Sequence, residues 1–292
     1  MRFLFRDEAR LAMDTAQQFI DLLIDDIAKN KLEVPVLPEV ALRVRKLIDD
    51  PNVSSTKVAQ VISTDAALTS RLLQVANSAM FTGIQAVDNV RAAINRLGLA
   101  LVRNMVVCIV MKTLYTPRMS PLIKQRMQIL WKHSTKVAAF SHALAKKYPH
   151  LRRDEAMLAG LLHDIGTLPI LTRATKFPGI TANPALLQEV IDKMHTEIGR
   201  LILQAWNFPP DLVVVASEHE DTNRINLGPV DYLDVVTVAN LHSYLGTDHR
   251  LAKEDWSQMP VFNRLNLSPS DSVRILKDAQ TEIQAVYQLL GG

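Results

Sequence analysis

The sequence predicts an all-α protein, on the grounds of its composition and the spacing of its apolar residues. Hydrophobic residues make up 48% of the 292 residues, but only 5% are aromatic, and there are just ten glycines. This composition lacks the aromatic residues and tight turns on which sheet-rich folds depend. Apolar residues recur at helical spacing along most of the chain. The length suits one large or two modest domains.

The N-terminal part is predicted to form short helices bounded by capping or helix-breaking residues. A linker over residues 31–38 contains two prolines and is expected to be extended. The first predicted helix spans about residues 7–29, and the second runs from about Glu39 to Asp50–Pro51. The third begins at the Ser54–Ser55 cap, and the fourth runs from the Asp65 cap to Asn77–Ser78. Two more lie around 88–97 and 99–114. Short helices with short connections indicate a compact bundle.

A helix-breaking segment, Thr116–Pro121, marks the middle of the chain because it is polar and contains two prolines. We therefore divide the chain into an N-terminal amphipathic helix at 1–31, an N-terminal helical subdomain at 32–118 and a C-terminal helical subdomain at 119–292. The predicted helices of the last part span about residues 122–147, the His163–Asp164 region to near Thr172, 185–206, 210–220, 229–245 and 268–290, with a loop at 173–184.

Several classes of protein are disfavoured by the sequence. The single cysteine, Cys108, can form no intramolecular disulfide, which fits a reducing compartment. The N-terminus reaches acidic residues too early for a signal peptide, and Arg103 interrupts the most apolar segment. A net charge of +3 without blocks of Lys and Arg gives no electrostatic footprint for nucleic acid. We expect a cytoplasmic protein with no membrane or nucleic-acid partner.

A His–Asp dipeptide, His163–Asp164, lies in an otherwise apolar helical run. Leu158, Leu161, Leu162 and Ile165 surround it at helical spacing, so the dipeptide is expected to be buried. Burying an imidazole and a carboxylate without partners would be costly, and this predicts either a metal ion or a hydrogen-bonded pair. The dipeptide alone is a weak motif.

Five sequence blocks resemble successive motifs of the HDOD domain, the HD-related output domain. The blocks are Leu37–Pro38, Asp50–Pro51, Val61–Asp65, Leu72–Phe81 and Ala92–Gly98. The resemblance covers roughly residues 32–290 and departs at Ala66, where the family usually has proline. It implies a multi-helix bundle in two subdomains, in a family of signalling modules that have often lost hydrolase activity.

The C-terminal half is similar to the wider HD phosphohydrolase superfamily, and this resemblance implies a set of metal ligands. His133 and the pair His163–Asp164 match the first ligand positions, and His195 and His219 match the further histidines of two-metal members. Asn240 stands where the superfamily has a final Asp, and an amide is a weaker, neutral ligand. The resemblance implies one or two divalent ions of Fe, Mn, Zn or Mg, with Asp164 as the catalytic residue if the protein is active.

Two departures concern the cyclic-dinucleotide phosphodiesterase branch of this superfamily. Thr167 replaces the lysine that follows its His-Asp-Ile-Gly motif, and the segment Asn226–Pro229 replaces its Gly-Tyr-Pro signature. We therefore expect no appreciable hydrolysis of cyclic di-GMP.

Each candidate residue also has a purely structural interpretation. His133, His195 and His219 could each be a hydrogen-bonded core histidine. We expect Asn77 and Ser78 to make hydrogen bonds at a helix end rather than to contact a ligand. The remaining histidines are assigned to surfaces or helix ends: His142, His150, His242 and His249.

Three functional hypotheses follow from these observations. The leading one is a stand-alone HDOD signalling or regulatory protein with a degenerate HD-type site, acting by binding a protein partner or a small signalling ligand, as a monomer or homodimer. The alternative is an active metal-dependent phosphohydrolase acting on a phosphoester or nucleotide. The third, a nucleic-acid-binding regulator, is disfavoured because the sequence has no basic face.

Overall fold

A computed structural model of the chain describes residues 2–78, 80–81, 85–116 and 120–291, with side chains from residue 15 onwards. These residues form α-helices and two short 3₁₀ turns but no β-strand, which confirms the predicted all-α fold. The first six helices are α1 Arg2–Ala28, α2 Glu39–Ile48, α3 Ser55–Ile62, α4 Ala66–Ala76, α5 Val90–Leu97 and α6 Leu99–Leu114.

The other helices and the 3₁₀ turns belong to the second half of the chain. The helices are α7 Pro121–Ala145, α8 Arg153–Leu162, α9 Thr167–Ala174, α10 Pro178–Thr181, α11 Pro184–Ala205, α12 Pro210–Glu218, α13 Tyr232–Ser243, α14 Pro260–Arg264, α15 Pro269–Asp278 and α16 Gln280–Leu290. The 3₁₀ turns are Arg250–Ala252 and Trp256–Gln258.

Side-chain caps fix the starts of the short N-terminal helices, as the sequence predicts. The Ser54 hydroxyl accepts a hydrogen bond from the Lys57 backbone N–H, and the Asp65 carboxylate accepts one from the Leu68 backbone N–H at 2.9 Å. Ala66 is the first residue of α4, where proline is well tolerated but not required. The departure at Ala66 therefore leaves this helix intact.

Asn77 ties the end of α4 to the segment before α5. Its side-chain amide donates to the Val87 carbonyl at 2.8 Å and accepts from the Val87 N–H at 2.9 Å. Arg96 reinforces this end by donating to the Ala76 carbonyl at 3.0 Å. The helix-terminal hydrogen bonding predicted for Asn77 is confirmed, whereas Ala79 of the Leu72–Phe81 block lies outside the described residues.

α7 is the central helix of the second half of the chain and packs against α8, α13, α15 and α16. The two halves of the chain are joined where α6 packs on α8 and α1 packs on α11. Arg45 of α2 adds a tie, because its buried guanidinium donates to the Trp206 carbonyl at 2.9 Å and to the Asn207 carbonyl at 3.0 Å. Residues 117–119 lie outside the described residues, and the boundary at Thr116–Pro121 stays a prediction.

Two further features bear on the classes of protein that the sequence disfavours. Cys108 is buried in α6, and burial raises the pKa of its thiol, which keeps it protonated and unreactive. No single helix in the described part of the chain is long and apolar enough to cross a membrane. The pair α5 and α6 reaches that length and apolar character only across a 115° bend.

The structure corrects the predicted helix through His163–Asp164, which is interrupted. α8 ends at Leu162 and α9 begins at Thr167, so the dipeptide lies in the turn between two helices. Pro169 explains the break, because proline has no N–H to donate and is tolerated only in the first turn of a helix.

Two other predicted segments also differ from the structure. The predicted loop at 173–184 contains the one-turn helix α10. The predicted C-terminal helix at 268–290 is two helices, α15 and α16, because Ala279 ends the first and starts the second. The apolar spacing of residues 268–290 predicts that Val273 faces the core, but its side chain is 45% exposed.

Candidate metal centre

The four histidines and the aspartate that are predicted as ligands come from four different parts of the helical bundle. His133 lies in the middle of α7, and His163 and Asp164 follow the last residue of α8. His195 lies in the middle of α11, and His219 follows the last residue of α12. All are buried except His133, whose ring is partly exposed.

The Asp164 carboxylate is the centre of this cluster, because its two oxygens face different pairs of histidines. Oδ2 lies 3.3 Å from Nε2 of His133 and 3.3 Å from Nε2 of His163. Oδ1 lies 3.2 Å from Nε2 of His219 and 3.6 Å from Nε2 of His195. The structure therefore forms two triads that share one carboxylate, and each is compact enough to hold a metal ion.

Hydrogen bonds on the far side of three rings fix which nitrogen faces the carboxylate. Each Nδ1 lies against a backbone carbonyl: His163 on Gly160 at 2.8 Å, His195 on Ile191 at 2.7 Å and His219 on Val215 at 3.1 Å. A carbonyl only accepts hydrogen bonds, so each Nδ1 carries the hydrogen and, in a neutral ring, Nε2 presents its lone pair to the cluster.

The fourth ring, His133, is held by a side-chain relay. The Ser243 hydroxyl donates to the Asn240 carbonyl at 2.6 Å and therefore accepts from Nδ1 of His133, which lies 3.3 Å from it. The Tyr244 ring stacks on the His133 ring with centroids 5.1 Å apart. His133 thus has the same tautomer as the others, through a longer and more exposed contact.

The spacing of the Nε2 atoms matches that of ligands around a cation. Nε2 atoms lie 3.0 Å apart in the His133–His163 pair and 3.2 Å apart in the His195–His219 pair. Two unprotonated nitrogens at this distance repel each other unless positive charge lies between them. Ligands about 2.0–2.1 Å from one ion, at angles of roughly 90–110°, are separated by about 2.8–3.4 Å.

The electrostatics of Asp164 favour its ionised form. Burial alone would raise its pKa, but where the rings carry a second proton, on Nε2, the positive charge of His163 and hydrogen bonds from His133, His163 and His219 hold the pKa well below its usual range. The cluster therefore retains a full negative charge between the two pairs of nitrogens. A cation is the natural counter-charge for this arrangement.

Asn240 is the predicted ligand whose side chain lacks hydrogen bonds that would explain its burial. It is 1% exposed, and neither its amide oxygen nor its amide nitrogen makes a hydrogen bond of normal geometry with the described residues. Burial raises the pKa of the neighbouring Tyr244 hydroxyl, and a weak contact with the Asn240 side chain opposes that rise. A buried amide without hydrogen bonds destabilises the fold by about 1–3 kcal/mol. Such a cost indicates that the amide has a partner other than the protein's own side chains.

Two glycines set the helix spacings that bring the cluster together. A Cβ on Gly160 would lie 2.7 Å from Ser141 Oγ and 3.0 Å from the backbone of α7, so α8 packs closely against the helix that carries His133. A Cβ on Gly166 would overlap the backbone carbonyl of His195. The glycine of the His-Asp-Ile-Gly motif thus allows α9 to approach α11.

A cavity of about 980 Å³ opens onto the cluster, with His133 and Asp164 in its wall. α7 supplies much of the lining, including Lys136 and Phe140, and α16 supplies Ile283 and Tyr287. The cavity lies within the second half of the chain. A small organic ligand placed there would reach the exposed side of the cluster.

The other histidines lie at surfaces or helix ends, but two of their rings are buried. His142 and His242 belong to the last turns of α7 and α13, as expected, and their rings pack against α16 and α15. His150 is exposed as expected. His249 precedes a 3₁₀ turn, where it stacks on Tyr244 with centroids 3.6 Å apart.

Sequence reasoning missed Ser243 and Tyr244. Both follow Asn240 by three and four residues, which places them on the same face of α13. That spacing was the available signal.

A family model connects this geometry with known proteins. The model of the HDOD domain matches residues 34–222. The chain belongs to the HDOD domain family. The match includes His133, the His163–Asp164 pair, His195 and His219, whereas Asn240 lies beyond its end.

Two solved structures share the fold over almost the whole chain. A protein from Shewanella amazonensis SB2B, provisionally named a metal-dependent phosphohydrolase, is 30% identical, with a TM-score of 0.81 over 94% of this chain and 99% of that one. An HDOD domain protein of unknown function from Geobacter sulfurreducens is 19% identical, with a TM-score of 0.66 over 97% and 98% of the two chains. The second likeness shows the fold alone.

A relative from Treponema pallidum (strain Nichols), an uncharacterized protein, is 27% identical over 237 residues. The match covers 75% of the present chain but 44% of the Treponema protein. The present chain therefore corresponds to less than half of that longer protein.

Proposed function

We propose that this HDOD protein is a metal-dependent phosphohydrolase whose cluster holds two divalent ions beside the cavity. The convergence of four Nε2 atoms on the two oxygens of Asp164 carries this proposal. A purely structural cluster of histidines would satisfy both ring nitrogens with hydrogen-bond partners. Here Nδ1 of each ring has such a partner, and in the neutral rings the lone pair of Nε2 faces a second nitrogen and a carboxylate.

The donor set suits hard or borderline divalent ions such as manganese, iron or zinc. His133, His163 and Asp164 would hold one ion together with the oxygen of Asn240, and Asp164, His195 and His219 would hold the other. Asn240 fits this role because its buried amide oxygen makes no hydrogen bond of normal geometry with the described residues, and coordination to an ion would give that oxygen a partner. When bound, the ions would supply Lewis acidity towards a phosphoryl group and lower the pKa of water.

The protein's own residues would position the ligands and the substrate. The backbone carbonyls behind His163, His195 and His219, and Ser243 behind His133, keep the Nε2 lone pairs directed inward. The cavity beside His133 and Asp164 would admit a phosphoester from solvent. The likeness to the Shewanella protein, whose provisional name is that of a metal-dependent phosphohydrolase, supports the same reaction class.

A regulatory role is the second candidate, favoured by Asn240. Replacing a carboxylate by an amide removes one negative charge from the ligand set and weakens its attraction for a divalent ion. A site weakened in this way could serve a protein that acts by binding a protein partner or a small signalling ligand. Catalysis and regulation differ in one observable, the turnover of a phosphoester by the fully metal-loaded protein.

The test is the hydrolysis of bis(p-nitrophenyl) phosphate and p-nitrophenyl phosphate by protein loaded with manganese, iron or zinc. We expect turnover with at least one metal, reduced to background in His163→Ala and in metal-depleted protein. His150→Ala is the matched control, because this exposed ring lies outside the cluster, and it should retain full activity. Full metal occupancy without turnover of either ester would contradict catalysis and favour the regulatory role.

A further inference from the structure

One wall of the cavity is a single face of α7 that alternates cationic and apolar side chains. Arg126, Leu130, His133, Lys136 and Phe140 follow one another at intervals of three or four residues, and all line the cavity. Residues with this spacing lie on one side of a helix. The face that carries the His133 ligand therefore also carries positive charge into the cavity.

Most of this positive charge has no acidic partner among the described residues. Arg126 donates to Gln188 at 3.2 Å, and no carboxylate lies within ion-pair distance of Arg126, Lys132 or Lys136. Lys132 and Lys136 lie one helical turn apart, a spacing at which like charges destabilise a helix. An anion bound between them would relieve that repulsion.

The acidic residues of the cavity do not neutralise these cations. The Asp164 carboxylate faces the four histidines, and Asp248 pairs with Lys253 at 3.3 Å. Asp192 accepts a hydrogen bond from the Gln188 amide at 2.9 Å. Arg250 differs from the α7 cations because Glu220 lies 2.7 Å from its guanidinium. The cations of the cavity wall that make no ion pair thus belong to α7, and Asp192 adds one negative charge to the same wall.

Lys136 is the best placed of these cations. Its ammonium is half-buried and donates one hydrogen bond, to the Ser243 carbonyl at 2.8 Å, which leaves two of its three hydrogens available. Burial lowers its pKa, so a neighbouring anion would stabilise its charged form. Ser243 also contacts His133, so Lys136 lies immediately beside the cluster.

We propose that the cavity recognises phosphate compounds with two separate anionic groups, one at the His/Asp cluster and the other held by Lys136 and Lys132. The inference rests on the proposed function for the first group, while the lysines bind the second without any metal. The apolar wall formed by Phe140, Ile283 and Tyr287 would contact the body that joins the two groups.

The size of the cavity agrees with a ligand of this class. Pockets for small organic ligands occupy roughly 300–1,000 Å³, and this cavity, at about 980 Å³, lies at the upper end of that range. Inorganic phosphate would leave most of it empty. A compact body with a phosphate at each end would use both the cluster and the lysines.

Calorimetric titration with phenyl phosphate and 1,4-phenylene bisphosphate tests this proposal. With metal-loaded protein at low temperature, we expect the bisphosphate to bind at least about tenfold more tightly than the monophosphate. Lys136→Gln should abolish that preference, since its amide can still donate to Ser243 but carries no charge. Lys132→Gln should reduce it, and this exposed side chain makes no contact on which the fold depends.

Metal-depleted protein separates this proposal from the proposed function. Without metal, phenyl phosphate should still bind at the lysines, and Lys136→Gln should weaken that binding about tenfold. The matched control is Lys146→Gln, an exposed lysine at the end of α7 in a different cavity, which should change nothing. Equal affinities for the two probes, or a preference that survives Lys136→Gln, would overturn the proposal. Absence of metal binding with lysine-dependent phenyl phosphate binding would instead overturn the proposed function.

Discussion

Nε2 of His195 and Nε2 of His219 lie 3.2 Å apart, although each ring directs its Nδ1 at a backbone carbonyl. Neither nitrogen can donate to the other when both rings are neutral. In neutral rings the two lone pairs would therefore repel each other beside the Asp164 carboxylate. Positive charge between them, from a divalent ion or from a proton on one ring, would make the arrangement favourable.

Asn240→Asp should raise the affinity for divalent ions by at least about tenfold, or about 1.4 kcal/mol. A carboxylate would restore one negative charge to the ligand set, in place of a buried amide that makes no hydrogen bond of normal geometry with the described residues. Calorimetric titration of both proteins with manganese, zinc and iron measures the difference.

The Asn240→Asp substitution should also raise the melting temperature only in the presence of metal, because a ligand stabilises the state that binds it. Without metal it should be neutral or destabilising, since a new buried carboxylate would repel Asp164. Equal metal affinities in the two proteins would mean that residue 240 is not a ligand.

Ser243→Ala should weaken metal binding about tenfold, because it removes the acceptor that orients the His133 ring. The expected loss is confined to the triad that contains His133, and the triad with His195 and His219 should bind as before. Titration calorimetry of metal-depleted protein resolves the two steps.

Ser272→Ala is the control for this substitution. It removes a comparable bond, from His242 at 2.7 Å, in a pair that lies outside the cluster. We expect no change in metal affinity. A loss of affinity as large as that of Ser243→Ala would point to a general disturbance of packing instead.

His142 should make the protein less stable in mild acid. Burial, together with the charge of Arg153, lowers the pKa of His142 from 6.5 to about 3. As the pH falls below about 6.5, His142 binds a proton in the unfolded chain, whereas in the folded protein it binds one only when the pH nears 3. Stability is therefore lost as the pH falls, by roughly 2 kcal/mol from this residue at pH 5.

Urea unfolding of the wild type and of His142→Asn at pH 7.5 and pH 5.0 measures this contribution. The wild type should lose roughly 2 kcal/mol more than the variant between the two values. His242, with a pKa lowered to about 4 by burial, contributes to both proteins and cancels in the comparison. Parallel pH dependences would show that His142 is protonated in the folded protein.

The sequence predicts most of the helices because local signals determine them. Ser54 and Asp65 cap helices, and α6 spans the predicted residues 99–114, since capping and apolar periodicity act over a few residues. The interruption between α8 and α9 was missed because the apolar run continues through it. Pro169 could have predicted this break, because proline is disfavoured in the interior of a helix.

The candidate site was predictable in its residue types but not in its organisation. Matches to a family pattern name His133 and His195, yet they do not reveal that one carboxylate divides the histidines into two pairs. Ser243 and Lys136 depend on how α7 and α13 pack, which is a long-range property. The burial of the His142 and His242 rings was not predicted, because a histidine at the end of an amphipathic helix carries no local mark of burial.

The number of ions bound per chain tests the central claim most directly. At saturating manganese, elemental analysis and calorimetry of metal-depleted protein should give two ions per chain for the wild type. His133→Ala and His195→Ala should each retain one ion, and Asp164→Asn, which alters the shared ligand, should lose both. A wild type that binds no divalent ion, or an Asp164→Asn variant that binds as many ions as the wild type, would contradict the account.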